Sequence, residues 1–261
     1  MLLAAAEHLA KHSVFDGTLN LIFQPAEEGF GGAKKMMEDG LFTKYPCDAI
    51  FAMHNMPSHP QGRLVFRDGP AMASSDNVTI TLEGFGGHGA LPHKASDSIV
   101  AGSAIVMGLQ TIVSRNVDPL EMAVITVGAF NAGMANNVIP QTCTLKLSVR
   151  SLNREVRQLL EVRLKELVHD QAQSYGIKAQ IDYQRGYAVL VNTLAETDFA
   201  RDVGEELLGA ASITRHGPAL TGSEDFAFML EKVPGCYLLI GNGDGSGDGH
   251  GACMVDRKSV V

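Results

Sequence analysis

The chain of 261 residues has a formal net charge of −8, with 45% hydrophobic and 19% charged residues. This acidic balance argues against a nucleic-acid-binding or membrane-surface protein, so we expect neither partner. No apolar run approaches the length that spans a bilayer, and the apolar start lacks the basic flank of a signal peptide. The cysteines form no CxxC pair, which favours reduced thiols in a cytoplasmic protein: Cys47, Cys143, Cys236 and Cys253.

The first part of the chain predicts a helix followed by a strand–helix–strand unit. Leu2–His12 has apolar residues at helical spacing. The runs Leu19–Phe23 and Ala49–Met53 are short, apolar and flanked by turn formers, which is typical of buried strands. Between them, Gly32–Asp39 predicts a helix that ends at Gly40. The two strands are expected to be parallel, so that their carboxyl ends emerge at the same edge of the sheet, where open α/β sheets bind ligands.

Polar side chains follow both predicted strands. Glu27 and Glu28 come just after the first strand, and His54 ends the second. A carboxylate and a neutral imidazole are ordinary ligands of a divalent metal, and a second carboxylate can accept a proton from metal-bound water. This pattern predicts metal-assisted chemistry. The alternative is that the two acids cap the following helix and His54 is a hydrogen-bonded histidine at the end of a strand.

The middle of the chain has a different pattern. After a short strand predicted at Gly62–Arg67, the small residues and proline of Gly69–Ser75 indicate a hinge between domains. The following elements have the order β-α-β-β-α-β, which is typical of a ferredoxin-like domain. They are Asn77–Leu82, a helix at Ser96–Arg115 with Asp97 in its first turn, Met122–Phe130, Thr142–Val149, a helix capped by Asn153 and ending near Ser174, and Lys178–Gln184.

The last part of the chain returns to the first domain at Gly186–Asn192. Asp198–Leu208 and Ser223–Lys232 predict helices, the second with Ser223 as its cap, and Cys236–Ile240 predicts a buried strand. A glycine-dominated loop follows Gly241.

Five motifs occur in order along the chain: Phe-Gln-Pro-Ala-Glu-Glu, Met-His-Asn, Gly-Gly-His-Gly-Ala-Leu-Pro-His, Asn-Val-Ile-Pro and Gly-Ser-Glu-Asp-Phe. Together they resemble the M20 metallopeptidase family, within it the amidohydrolase branch that includes hippurate hydrolases. The resemblance implies an α/β fold in which a ferredoxin-like lid or dimerisation domain is inserted into a zinc-peptidase-like catalytic domain. The chain would then divide into the first part of the catalytic domain (1–73), the lid domain (74–187) and the second part of the catalytic domain (188–261).

The resemblance also implies roles. Glu27 matches the family's general base, while Glu28 and His54 match metal ligands; the residues alone leave the order of the two glutamates open. His88 matches a histidine that donates to the oxyanion in the partner subunit's active site, and its alternative is a solvent-exposed turn histidine. Asn137 and Arg150 resemble residues that hold the substrate carboxylate, although Arg150 could be a surface ion-pair residue.

The implied activity is metal-dependent hydrolysis of N-acyl amino acids by a homodimer, with up to two ions of Zn, Mn, Ni or Co. Two departures from the family pattern lead us to expect impaired activity. A Cys-Gly-His-Asp motif that supplies two ligands in the family does not occur here, and the segment after Met254 departs from a His-Asn-Pro-like ligand segment. His250 is a candidate replacement. The alternatives are an inactive binding or dimerisation module and an M20-type aminopeptidase.

Overall fold

A computed structural model describes residues 1–12, 15–57 and 59–243. The chain forms two compact units. The first unit comprises the described parts of Met1–Ala71, Leu190–Ala219 and Asp225–Val261. The second comprises Met72–Val189 and Leu220–Glu224.

The described helices are α1 (Leu2–Lys11), α2 (Gly32–Glu38), α3 (Leu41–Lys44), α4 (Ser98–Asn116), α5 (Arg154–Ser174), α6 (Leu194–Leu208) and α7 (Ala227–Leu230). The strands are β1 (Ile50–Met56), β2 (Leu64–Val65), β3 (Gly69–Met72), β4 (Asp76–Glu83), β5 (Gly87–His88), β6 (Ala123–Ala132), β7 (Val138–Ile139), β8 (Thr142–Ser151), β9 (Lys178–Arg185), β10 (Leu190–Asn192), β11 (Ile213–Thr214) and β12 (Gly235–Gly241).

The first unit contains a mixed sheet with the strand order β1-β12-β2-β11. The parallel pair β1 and β12 aligns Ile50 with Gly235 and Met56 with Gly241. Strand β12 lies inside the sheet and is buried along nearly its whole length, which explains its unbroken apolar sequence. The prediction of a buried strand at Cys236–Ile240 is therefore confirmed, as is the strand at Ala49–Met53.

The strand expected at Leu19–Phe23 is wrong. This segment has no strand conformation, and its large side chains Leu19, Leu21 and Phe23 are exposed. A strand requires a neighbour for its backbone N–H and C=O groups. Among the described residues, β1 pairs only with β12, so no strand–helix–strand unit forms. The helix predicted at Gly32–Asp39 is present as α2.

The second unit is an antiparallel sheet with the order β6-β8-β4-β9 and the two long helices α4 and α5. In chain order its strands and helices follow β-α-β-β-α-β, so the predicted ferredoxin-like topology is confirmed. Its core combines the inward faces of the strands with both helices: Val78, Ile80, Leu82, Ile105, Leu109, Leu145, Leu160 and Leu164 among others.

Side-chain caps begin both long helices of the second unit. The Asn153 carboxamide accepts hydrogen bonds from the Glu155 and Val156 N–H groups at 2.8 and 3.3 Å, which confirms the predicted cap. Asp97, which was expected inside the first turn, is itself the cap of α4 and accepts from Ile99 and Val100. A carboxylate at this position satisfies otherwise unpaired N–H groups.

By length and composition alone, α4 is long and apolar enough to cross a membrane. The expectation that no run reaches this length is therefore wrong. The expectation failed because glycines and serines interrupt the apolar residues of Ser98–Asn116, while the segment as a whole stays apolar. Here Ala101, Ile105, Leu109 and Ile112 of this helix are buried in the core.

The predicted hinge segment contains the short strand β3, which pairs with β10, and the boundary between the two units falls within it, after Ala71. Two predicted helices need correction. The helix predicted from Ser223 extends only over Ala227–Leu230, and Phe226 rather than Ser223 is its N-cap. The helix predicted from Asp198 begins earlier, at Leu194.

The described cysteines are free thiols: Cys47, Cys143 and Cys236. Burial raises the pKa of Cys143 and of Cys236 to about 11, so both are protonated at neutral pH. Cys253 lies outside the described residues.

Candidate active site

The loop Pro25–Gly31 carries the two candidate carboxylates of the first unit. Glu27 is half-buried and Glu28 is exposed. Ala26, directly before them, has a φ of 55°, and it is the one non-glycine residue with positive φ among those described. The left-handed region is unfavourable for a side chain with a Cβ atom, so the surrounding structure must hold this conformation.

Asp225 lies beside this loop and was missed as a site residue by sequence reasoning. Asp225 belongs to the Gly-Ser-Glu-Asp-Phe motif, and its side chain is fully buried. One of its carboxylate oxygens accepts from the Gln24 carboxamide, and the other accepts from the Ala33 N–H at 2.8 Å. Carboxylate oxygens of Glu27 and Asp225 lie within 4.8 Å of each other.

His54 lies within β1, two residues before its end, rather than at the end of the strand. Its Nδ1 is 2.6 Å from the carbonyl oxygen of Asn55. A carbonyl oxygen can only accept, so this bond requires the proton on Nδ1 and leaves the lone pair of the neutral ring on Nε2. Metal-binding histidines commonly donate their other ring N–H to a backbone carbonyl in this way.

Glu27, Glu28 and His54 have the chemistry of a divalent-metal site. Carboxylate oxygens and an imidazole nitrogen with its lone pair oriented by a second hydrogen bond suit zinc, manganese, nickel and cobalt. Among the described residues, neither Glu28 nor His54 belongs to a group of three candidate ligand atoms within 4.8 Å. His250, the candidate replacement ligand, lies outside the described residues.

The second unit places His88 and Asn137 in one small ribbon. Strands β5 and β7 pair antiparallel, with His88 opposite Val138. The Gly89 N–H donates to the Asn137 carbonyl at 2.8 Å, and a Cβ atom on Gly89 would lie 3.0 Å from that same oxygen. The glycine therefore permits the close approach of the two segments, as the Gly-Gly-His-Gly pattern indicates.

The His88 side chain is exposed and has the opposite hydrogen-bond polarity to His54. Its Nδ1 accepts from the Ala90 N–H at 3.1 Å. Accepting requires a lone pair on Nδ1, so the proton of the neutral ring is on Nε2. The outer nitrogen of His88 is thus a hydrogen-bond donor, the polarity that stabilisation of an oxyanion requires.

Arg150 lies on β8 of the second unit and is half-buried. One guanidinium nitrogen donates to the Thr221 carbonyl at 2.8 Å. This bond fixes one edge of a group that has five N–H donors in a planar fork. Arg150 is therefore held by the backbone rather than by a surface carboxylate among the described residues.

An α/β unit that presents carboxylates and an imidazole, together with a ferredoxin-like unit, has the architecture of a two-domain metallopeptidase. The chain belongs to Peptidase family M20/M25/M40, whose sequence profile matches residues 1–256.

Relatives of known activity support this assignment. The chain is 45% identical over 241 residues to the hippurate hydrolase of Campylobacter jejuni, covering 92% of this chain and 63% of that protein. It is 37% identical to an N-acetyldiaminopimelate deacetylase of Bacillus subtilis, covering 99% of this chain and 68% of the relative. An N-acetyl-L-cysteine deacetylase of Bacillus subtilis is also 37% identical, and the chain covers 58% of it.

Solved structures agree with the fold. A crystal structure from methicillin-resistant Staphylococcus aureus has a TM-score of 0.82 and 33% identity, covering 92% of this chain and 62% of that one. A dinuclear metal-binding M20 peptidase of Bacillus subtilis has a TM-score of 0.76 and 30% identity, covering 92% of this chain and 60% of that one. The chain thus spans about 60% of the length of these neighbours.

Proposed function

We propose that this protein hydrolyses the amide bond of N-acyl amino acids, with hippurate as a representative substrate. The observation that carries the proposal is the polarity of His54, whose Nδ1 hydrogen bond to Asn55 presents the Nε2 lone pair expected of a metal ligand. The identity of 45% to a hippurate hydrolase supports the same chemistry.

The proposed roles are those that the family resemblance implies, including the order of the two glutamates, and the chemistry of each side chain permits them. Glu28 and His54 would hold a divalent metal, which supplies Lewis-acid polarisation of the amide carbonyl and a lowered pKa for water. Glu27 accepts the proton of the attacking water and returns it to the leaving nitrogen. As the resemblance implies, His88 donates from Nε2 to the oxyanion that develops in the partner subunit's active site.

Asn137 and Arg150 complete the proposal on the substrate side. A guanidinium can pair both oxygens of a substrate carboxylate, and the Thr221 carbonyl restricts its orientation. The Asn137 carboxamide supplies both a donor and an acceptor for the polar groups of the substrate. We also propose that the protein forms a homodimer through the second unit, as the family resemblance implies; light scattering at several concentrations tests this.

The decisive experiment combines metal content with turnover. Protein stripped with chelator, reloaded with manganese or zinc and desalted is analysed for metal per chain and for hydrolysis of hippurate. We expect bound metal and hydrolysis that stops when chelator is added. Folded protein that neither retains metal nor hydrolyses hippurate would refute the proposal and favour the binding-module alternative. The same assay also tests the prediction that the activity of this chain is impaired.

A further inference from the structure

The loop that carries Glu27 and Glu28 has a conformation that its own sequence does not favour. Ala26 is in the left-handed region, with φ of 55°, and Gly29 and Gly31 also have positive φ. Residues other than glycine remain in this region only where surrounding contacts outweigh the local cost. Contacts outside the loop must therefore hold it.

The buried carboxylate of Asp225 supplies such contacts at both ends of the loop. Gln24 immediately precedes the loop and donates from its side chain to one Asp225 oxygen. Ala33, in the first turn of α2, donates its N–H to the other oxygen at 2.8 Å. One side chain, distant by about two hundred positions in sequence, thus joins the two segments that flank Pro25–Gly31.

Close backbone packing leaves little room for the loop to shift. The Gly32 N–H donates to the Ala26 carbonyl at 3.3 Å. A Cβ atom on Gly32 would lie 1.7 Å from the Pro25 carbonyl oxygen, so only glycine permits this approach. The position of Glu27 and Glu28 therefore depends on the hydrogen bonds of Asp225 to the two flanking segments and on the close packing of Gly32 against the loop backbone.

We propose that Asp225 is a positioning residue that holds Pro25–Gly31 in the conformation in which Glu27 and Glu28 perform their roles. The inference rests on the proposed function of these two glutamates. Asp225 acts through the Gln24 side chain and the Ala33 N–H rather than on the substrate, because supporting hydrogen bonds orient ligands and catalytic groups.

The first test is Asp225→Ala, with Asp68→Ala as a matched control. Asp68 is a carboxylate of the same unit that pairs with the buried Arg201 at 2.5 Å. We expect Asp225→Ala to accelerate amide hydrogen exchange in residues 24–33 and to weaken manganese affinity by about 10–100-fold. Hippurate hydrolysis should lose kcat by a similar factor while KM changes little. Asp68→Ala should lower Tm without these effects.

A second set of variants separates positioning from general loss of stability. Gln24→Glu places two carboxylates against each other and should disturb the loop as Asp225→Ala does. In Asp225→Asn the Gln24 carboxamide can rotate to accept from the new amide, so this variant should stay near wild type. The double variant Gln24→Glu/Asp225→Asn restores one donor and one acceptor and should recover both slow exchange and metal affinity.

The outcomes distinguish this inference from the proposed function. Wild-type protein that fails to hydrolyse hippurate refutes the proposed function, whereas the exchange rates of residues 24–33 still decide whether Asp225 holds the loop. Exchange in Asp225→Ala equal to that of wild type overturns the inference. Faster exchange together with unchanged metal affinity and kcat also overturns it, because Asp225 would then be structural only.

Discussion

Two regions of this protein each present a histidine, and they give the same side chain opposite properties. In the first unit, His54 lies in a strand that pairs with β12 over seven residues, and its Nδ1 donates to the Asn55 carbonyl. In the second unit, His88 ends a two-residue strand, and its Nδ1 accepts from the Ala90 N–H. The neighbouring backbone group therefore decides whether the outer nitrogen carries a lone pair or a proton.

The environment of the two histidines differs in the same sense. His54 is half-buried beside the Tyr237 ring, at 6.2 Å between ring centroids, whereas His88 is exposed. A half-buried nitrogen lone pair suits a metal ligand, and an exposed N–H donor suits a side chain that contacts the substrate. The role of an imidazole therefore follows from its second hydrogen bond, which a motif alone does not reveal.

The largest effect is expected from Glu27→Gln in the first region. Removal of the carboxylate removes the proton acceptor, so kcat for hippurate should fall about 10²–10⁴-fold. Manganese content should remain near that of wild type if Glu28 and His54 hold the metal. Glu38→Gln, an exposed change on α2, serves as the control. Loss of metal together with kcat would instead make Glu27 a ligand.

Substitution of each histidine tests whether His54 and His88 have different roles. His88→Ala removes an oxyanion donor and should lower kcat about 10²–10³-fold with metal content unchanged. His54→Ala should abolish both metal retention and activity. His88→Gln supplies an amide N–H donor and should recover part of kcat. His93→Ala, an exposed neighbour of His88, should behave as wild type.

Equal metal loss in His54→Ala and His88→Ala would mean that the opposite polarity of the two rings has no functional meaning. Metal content is measured by elemental analysis and kcat by release of benzoate from hippurate.

A smaller effect is expected at Arg150. Arg150→Lys retains the positive charge but loses the planar fork and its oriented bond to the Thr221 carbonyl. We expect KM for hippurate to rise about tenfold, equivalent to about 1.4 kcal/mol of binding, with little change in kcat. Arg115→Lys at the exposed end of α4 is the control. A fall in kcat at constant KM would argue against a binding role for Arg150.

The smallest effect concerns the stability of the second unit at high pH. Burial first, and then the charge of Asp76, raise the pKa of Tyr183 well above its usual range, and its hydroxyl donates to Asp76 at 2.9 Å. Because the folded state holds this proton more tightly, the contribution is fully present below the unfolded pKa of about 10 and is lost as pH rises above it.

Tyr183→Phe should therefore cost about 1 kcal/mol of stability at neutral pH and should flatten the decline in stability above pH about 10. Tyr175→Phe, which changes a more exposed tyrosine, should leave that decline in place. Urea unfolding followed between neutral and alkaline pH measures both. A decline that is just as steep in Tyr183→Phe would assign the pH dependence to the buried cysteines, whose pKa values are also raised.

Local sequence patterns determined most of the second unit. The alternation of Val78, Ile80 and Leu82, and the cap at Asn153, each depend on residues within a few positions. The β-α-β-β-α-β order then restricts the sheet to few topologies, so the fold could be predicted. The same local logic placed α1, α2, β1 and β12 of the first unit approximately, because their apolar spacing and turn residues are local signals.

The remaining features of the fold and of the candidate site depend on partners that are distant in sequence, so local patterns do not predict them. Leu19–Phe23 has the composition of a strand but lacks a hydrogen-bonded neighbour among the described residues. Asp225 is adjacent to helix α7 in sequence, yet its carboxylate binds Gln24 and Ala33. The motifs identified His54 and His88 as candidates from residue type alone. Their opposite polarities required the positions of the Asn55 carbonyl and the Ala90 N–H, because backbone geometry rather than residue identity sets which ring nitrogen carries the proton.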